Sequence, residues 1–253
     1  MTRPSSLPRV LLCTAYRRFP EDYMDLLGEV ILHKPKITML RRMSPGLRFI
    51  KQNVPEVQIL EFPLWPEYQA KLSEGWDIVG FSFYQHEIDE IARMAEEARR
   101  QGVRELWAGN YGALDYKVPS LVDRVVLGPG EDEVAQVFGY RVRTSDIEHP
   151  PMMFHAAVSP GNIRHFTAGV LYTQRGCPFK CTFCQTPTFD RGMFNINLES
   201  IERVLQYYRQ NRLKYVFIID ELFGANQSFT DRLTELLHEH RFYWYVQSRA
   251  TLV

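Results

Sequence analysis

Short apolar runs alternate with amphipathic ones from Leu7 to about Gly139, and no other feature constrains the fold as strongly. A strand buried on both faces reads as a continuous apolar run, and a parallel neighbour is reached only through a crossover long enough for a helix. The runs Arg9–Ala15, Glu56–Glu61, Asp77–Phe83, Glu105–Ala108 and Arg124–Leu127 predict five such strands. Helical stretches are expected around Met43–Gln52 and over His86–Arg100. In the second, Ile88, Ile91, Ala92, Met94, Ala95 and Ala98 recur at three- and four-residue spacing, leaving Glu87, Glu90, Glu97 and Arg100 for solvent. Gly102 stops that helix. The expected class is α/β, with a doubly wound, flavodoxin- or Rossmann-like sheet over residues 1–140.

Such sheets bind ligands outside the carboxyl ends of their strands. Three candidate loops fall there, the last two bearing glycine: Ser82-Phe-Tyr-Gln85, Gly109-Asn-Tyr-Gly112 and Gly128-Pro-Gly-Glu131. Glycine permits close backbone approach to a ligand and equally makes a turn, so both readings stand. Residues 141–166 show little pattern and contain His149-Pro-Pro151 and Ser159-Pro-Gly161, which predicts a linker. Alternation then resumes over 167–253, with strands Ala168–Thr173, Lys214–Ile219 and Phe242–Gln247 and helices Leu198–Tyr208 and Phe229–His238. Asn197 is the expected N-cap of the first helix, and Ser228 with Asp231 forms a capping-box pattern for the second.

The charges balance, 30 Lys plus Arg against 30 Asp plus Glu, which gives no electrostatic reason to expect nucleic acid or an anionic membrane as a partner. Arg41, Arg42, Arg99 and Arg100 accordingly read as solvated helix faces. No run approaches the ~18 apolar residues that span a bilayer. Val10–Tyr16, followed at once by Arg17-Arg18, has the wrong order for a secretory signal, so a cytoplasmic location is expected.

Three of the four cysteines fall in Arg175-Gly-Cys-Pro-Phe-Lys-Cys-Thr-Phe-Cys-Gln185, a C-x3-C-x2-C spacing just after a strand. Clustered thiols in a chain without an export signal point to metal, because the cytosol keeps thiols reduced. Three local thiolates leave one iron of a four-iron cluster open to a substrate or cofactor, as a vacant position marks a catalytic zinc. The competing reading is a zinc site completed by Cys13 or a histidine, although no second cysteine pair is available. Cys13 lies inside the first apolar strand, where a buried thiol acting as a small hydrophobe is the simpler reading.

Arg175 to Cys184 resembles the signature of radical S-adenosylmethionine (radical SAM) enzymes, including the aromatic Phe183 before the last cysteine. The resemblance implies a [4Fe–4S] cluster on Cys177, Cys181 and Cys184 at the mouth of a partial (β/α) barrel, with S-adenosylmethionine chelating the open iron and cleaved reductively to a 5′-deoxyadenosyl radical. It also implies contacts to that cofactor from Phe183, from Asp220 or Glu221 in Ile219-Asp-Glu-Leu-Phe223, and from Ser248-Arg249. Asp220 and Glu221 read equally well as a polar strand terminus.

The N-terminal half resembles the cobalamin-binding domain that precedes the barrel in one radical SAM subgroup, through Trp76-Asp-Ile-Val-Gly-Phe-Ser82, the following helix, the strand ending at Gly109, and Val125-Val-Leu-Gly-Pro-Gly-Glu131. This likeness implies cobalamin contacts at Ser82, Gly109, Gly128, Gly130 and Glu131. Two departures stand out. The Asp-x-His-x-x-Gly motif that places a histidine below cobalt is absent, and the usual double glycine after the fourth strand is Gly109-Asn110.

The implied activity is methyl transfer to an unactivated carbon, or a radical rearrangement, on a small biosynthetic molecule, with flavodoxin or ferredoxin as reductant. Methylthiolation is the alternative within the superfamily, but its extra N-terminal cysteines are represented by Cys13 alone. A non-catalytic zinc or ligand-binding module is the alternative outside it. A partial barrel of six strand–helix units needs on the order of 180 residues, more than 168–253 supplies. The expectation is therefore a chain truncated within the barrel, or one completed by a partner chain and prone to associate through the uncovered edge.

Overall fold

The computed structural model describes residues 7–17, 23–25, 38–41, 43–158, 164–190 and 192–252. Its first elements are β1 (Val10–Thr14), β2 (Tyr23–Asp25), β3 (Thr38–Arg41), α1 (Pro45–Asn53), β4 (Gln58–Leu60), α2 (Trp65–Leu72), β5 (Ile78–Ser82), α3 (Ile88–Arg100), β6 (Glu105–Gly109), β7 (Arg124–Val125) and α4 (Glu131–Ala135). They are followed by β8 (Met152–Val158), β9 (Arg164–Leu171), β10 (Gln174–Arg175), α5 (Thr186–Phe189), β11 (Phe194–Asn195), α6 (Leu198–Gln210), β12 (Tyr215–Ile218), α7 (Gln227–Glu239) and β13 (Tyr243–Tyr245). The chain divides into two compact units. One comprises Met1–Pro20, Met43–Arg143 and Thr188–Asp190; the other comprises Glu21–Arg42, Thr144–Pro187 and Arg191–Val253.

The first unit is built on a wholly parallel sheet in the order β4-β1-β5-β6-β7. All five residues of β1 are buried, and their alternation divides two cores. Leu11 and Cys13 pack with Tyr68, Phe81, Ile91 and Met94 on one face, while Val10 and Leu12 pack with Leu47, Val57 and Trp107 on the other. The strand order turns between β1 and β5, the place where doubly wound sheets open a crevice at their carboxyl edge. Helix α2 was not expected from periodicity because it is one short run with Pro66 in its first turn, a position where proline is tolerated. Glu90 and Glu97, expected in solvent, are buried. Gln101 Nε2 lies 3.2 Å from Glu97 Oε1, and Arg100 also pairs with that carboxylate, so the charge is enclosed with partners.

The second unit holds a six-stranded sheet in the order β13-β12-β9-β8-β3-β2. β13, β12 and β9 run parallel, with α6 and α7 as crossovers; β9, β8, β3 and β2 pair antiparallel. The stretch expected as a linker therefore needs correction. Within it, β8 pairs with β9 over seven positions, from Met152↔Val170 to Val158↔Arg164. His149-Pro-Pro151 masks the apolar run that follows it, and Ser159-Pro-Gly161 lies outside the described residues. Asn197 caps α6 as expected, accepting from Glu199 N at 2.9 Å. The cap of α7 is Asn226, which accepts from Phe229 N at 3.2 Å; Ser228 instead hydrogen-bonds Asn226 Oδ1, so the Ser228–Asp231 box does not form.

Two buried polar side chains fasten this sheet. The Tyr208 hydroxyl from α6 lies 2.6 Å from Met152 O and 2.7 Å from Val170 O, and accepts from Met152 N at 3.1 Å. Its ring lies over Gly169, where an added Cβ would approach it to 2.4 Å. His149 is 2 % exposed; its Nδ1 faces Pro150 O at 2.7 Å and its Nε2 accepts from Tyr172 N at 2.9 Å. That arrangement needs a neutral ring, and burial pushes the imidazole pKa down to about 3.

Tyr208→Phe strands the strand-end groups that the hydroxyl serves and is expected to lower unfolding stability by about 1–3 kcal/mol in urea titrations. The unfolded chain protonates His149 below about pH 6.5 while the folded chain does not, so its contribution is full above that pH and is lost as pH falls toward 3. The stability advantage of wild type over His149→Gln is thus expected to shrink by about 2 kcal/mol between pH 7 and pH 5.

Candidate functional site

The cysteine loop leaves the carboxyl end of β9, where three parallel strands finish together. Its neck is the two-stranded ladder Gln174↔Asn195 and Arg175↔Phe194, extended by Ile196 N to Thr173 O at 2.9 Å. Gly176 enters the loop at φ +78°, a left-handed conformation that glycine adopts without strain. Cys184 N donates to Cys181 O at 3.0 Å. The thiols are unpaired by disulfide; Cys177 and Cys181 are half-buried and Cys184 is exposed. Cys13 is wholly enclosed by the first unit's core, and burial drives its thiol pKa strongly upward, so it is no fourth ligand. Among the described residues, no three His, Cys, Asp or Glu side chains are gathered to hold one metal ion. Three accessible thiols spread along one loop are a donor set that fits a multi-iron cluster.

The segment after β12 closes against this neck. Asp220 is 5 % exposed, and its Oδ1 accepts from Thr173 N at 2.6 Å and Gln174 N at 3.2 Å. Its Oδ2 accepts from the Thr173 hydroxyl, and Gln174 Nε2 donates to Leu222 O. Burial raises the Asp220 pKa to about 7 against the opposing pull of these donors. Glu221 is exposed as a residue, yet loss of solvent around its carboxyl raises its pKa, opposed by the Arg175 charge and the Gly176 N–H. Ser248 Oγ donates to Phe223 O at 2.7 Å, and Phe223 N to Gln247 O at 3.2 Å. The Arg249 guanidinium lies 4.0 Å from the ring centre of Phe179, between the first two cysteines.

Asp220 therefore binds the neck of the cysteine loop, Arg249 meets Phe179 within the loop, and Ser248 binds the segment that follows Glu221, while Phe183 stands 88 % exposed beside its cysteine. Both Asp220 oxygens and the Ser248 proton are engaged within the protein. Thr173, Gln174 and Phe179 were missed by sequence reasoning because their partners lie far along the chain and no local pattern marks them.

The first unit presents a second set of residues at the carboxyl edge of its sheet. Ser82 and Gly109 end β5 and β6 in register. Asn110 takes φ +65° and accepts from Tyr111 N at 2.8 Å, so asparagine fills the position where a second glycine was expected. Gly128 sits at φ +80° after β7, and a Cβ on Gly130 would lie 3.1 Å from Ile50. Tyr84 and Tyr111 stack with ring centres 6.4 Å apart, and Tyr111 meets Phe189 at 4.8 Å. Glu131, the first residue of α4, is 1 % exposed.

Comparison with known proteins agrees with this architecture. Residues 171–253 match the family described as the radical SAM superfamily. Bacteriochlorophyllide d C-8(2)-methyltransferase of Chlorobaculum tepidum is 23 % identical over 190 residues, 65 % of this chain and 42 % of that protein. The radical S-adenosylmethionine methyltransferase TsrM from Kitasatospora setae, solved with cobalamin and a [4Fe–4S] cluster bound, superposes with a TM-score of 0.59 at 15 % identity. That match covers 92 % of this chain and 51 % of TsrM. A second TsrM structure, with tryptophan substrate and the analogue aza-SAM, gives 0.58 at 16 % identity over 92 % of this chain and 50 % of that one. The chain thus spans about half the length of these relatives.

Alkylation of the native, iron-free protein with iodoacetamide is expected to modify Cys177, Cys181 and Cys184 and to spare Cys13 until denaturant is added; peptide mass mapping reads the outcome directly.

Proposed function

We propose, from the radical SAM domain that residues 171–253 carry, that Cys177, Cys181 and Cys184 hold a [4Fe–4S] cluster whose open iron takes S-adenosylmethionine. The observation that carries this reading is the loop itself: three reduced, solvent-reachable thiols where parallel strands end, with the next strand's acidic terminus closed against its neck. With cluster and S-adenosylmethionine bound, reductive cleavage of the sulfonium would supply a 5′-deoxyadenosyl radical, and bound cobalamin a transferable methyl group.

The chain's own residues divide the remaining work. Glu221, exposed at the end of β12, offers a carboxylate to an ammonium group. Arg249, held over Phe179, offers a guanidinium to a carboxylate or ribose, and Phe183 an aromatic face to the adenine. In the first unit, Ser82, Gly109, Gly128 and Gly130 line the carboxyl edge where a doubly wound sheet takes a cofactor, which supports cobalamin there without a histidine ligand. The reaction proposed for the whole protein is methyl transfer to a small biosynthetic molecule, with an electron-transfer protein such as flavodoxin or ferredoxin as reductant.

Anaerobic reconstitution with iron and sulfide tests the core of this reading. About four irons per chain are expected, with a reduced-state electron paramagnetic resonance signal that changes when S-adenosylmethionine is added and is lost in Cys181→Ala. One tightly held zinc and no iron–sulfur signal would sink it.

A further inference from the structure

The ladder at the neck of the cysteine loop is only two residues long on each side, and an isolated two-stranded pairing is marginal in water. The loop it closes runs from Gly176 to residue 193, so its closure carries an entropic cost. A further restraint on the neck comes from Asp220, which lies 46 and 47 positions away and binds it by three hydrogen bonds to Thr173 and Gln174. The Gln174 side chain adds a bond to Leu222 O.

We propose that Asp220 is a positioning residue: its carboxylate fixes the backbone from which the cysteine loop springs, and it does not itself touch the cofactor. Both of its oxygens are occupied by neck donors and the side chain is buried, whereas the adjacent Glu221 is exposed. Of the two neighbouring acids, Asp220 is thus spent wholly on the neck, whereas Glu221 keeps exposure to solvent. This inference rests on the cluster reading above only for its consequence for iron; the brace itself belongs to the iron-free protein.

Wild type, Asp220→Ala, Asp220→Asn and Thr173→Val are compared in two measurements. In the iron-free protein, amide hydrogen exchange at Thr173 and Gln174 is expected to accelerate in Asp220→Ala and to stay near wild type in Asp220→Asn, whose amide oxygen still accepts both N–H groups. After reconstitution, Asp220→Ala is expected to lose iron to a chelator about tenfold faster than wild type, the scale seen when groups orienting metal ligands are removed. Asp220→Asn should restore retention and keep the spectral response to S-adenosylmethionine. Wild-type iron retention in Asp220→Ala, with that response lost in both Ala and Asn variants, would make Asp220 a direct contact and overturn the proposal. Should Asp220→Ala fail to fold, Thr173→Val removes one bond only; unaltered neck exchange and iron retention there would also overturn it. Should wild type take up no iron, the cluster reading fails separately, and unchanged amide exchange in Asp220→Ala then refutes the brace on its own.

Discussion

The buried carboxylate of Asp220 is the interaction on which the candidate site depends. It stands at the end of β12 yet serves the exit of β9, joining the segment that carries the cysteines to the segment that carries Glu221. A carboxylate removed from water is costly unless donors surround it, and here two backbone N–H groups and a hydroxyl do so. The same bonds satisfy backbone groups that leave the sheet with no ladder partner. Structure and candidate chemistry therefore share one local arrangement.

Behind that arrangement the second unit is fixed by groups with little conformational choice. Tyr208 lies against Gly169, and its hydroxyl ties the first residue of β8 to the end of β9. His149 reaches the residue that follows β9, so the strand delivering the cysteine loop is held on both sides of its last turn. In the first unit, β1 separates two cores, and Gly80 gives Leu12 room, since an added Cβ would come within 2.6 Å of it. Rigid strands below and irregular loops above are the usual division of labour in α/β ligand sites.

Much of this was legible in the sequence, for physical reasons. Fully buried parallel strands announce themselves as unbroken apolar runs, so β1, β5 and β6 were found near their true limits. Asn197 announces a helix start because a short polar side chain accepts from the first turn. β8 was obscured by the prolines before it, and the cap of α7 went to Asn226 because its side chain, two positions earlier than Ser228, meets the free N–H of Phe229. Glu97 was misread because helical spacing shows a face and cannot show what lies opposite it.

The sequence by itself determined that the chain alternates strands with helices, that three thiols share one loop after a strand, and that two glycine-bearing loops end neighbouring strands, because each is a property of nearby residues. Only the tertiary structure decided that Asp220 is buried against the neck of the cysteine loop, that Arg249 lies over Phe179, and that Glu131 is enclosed. Those outcomes depend on which distant backbone groups arrive without partners when the strands assemble, and no local pattern encodes that.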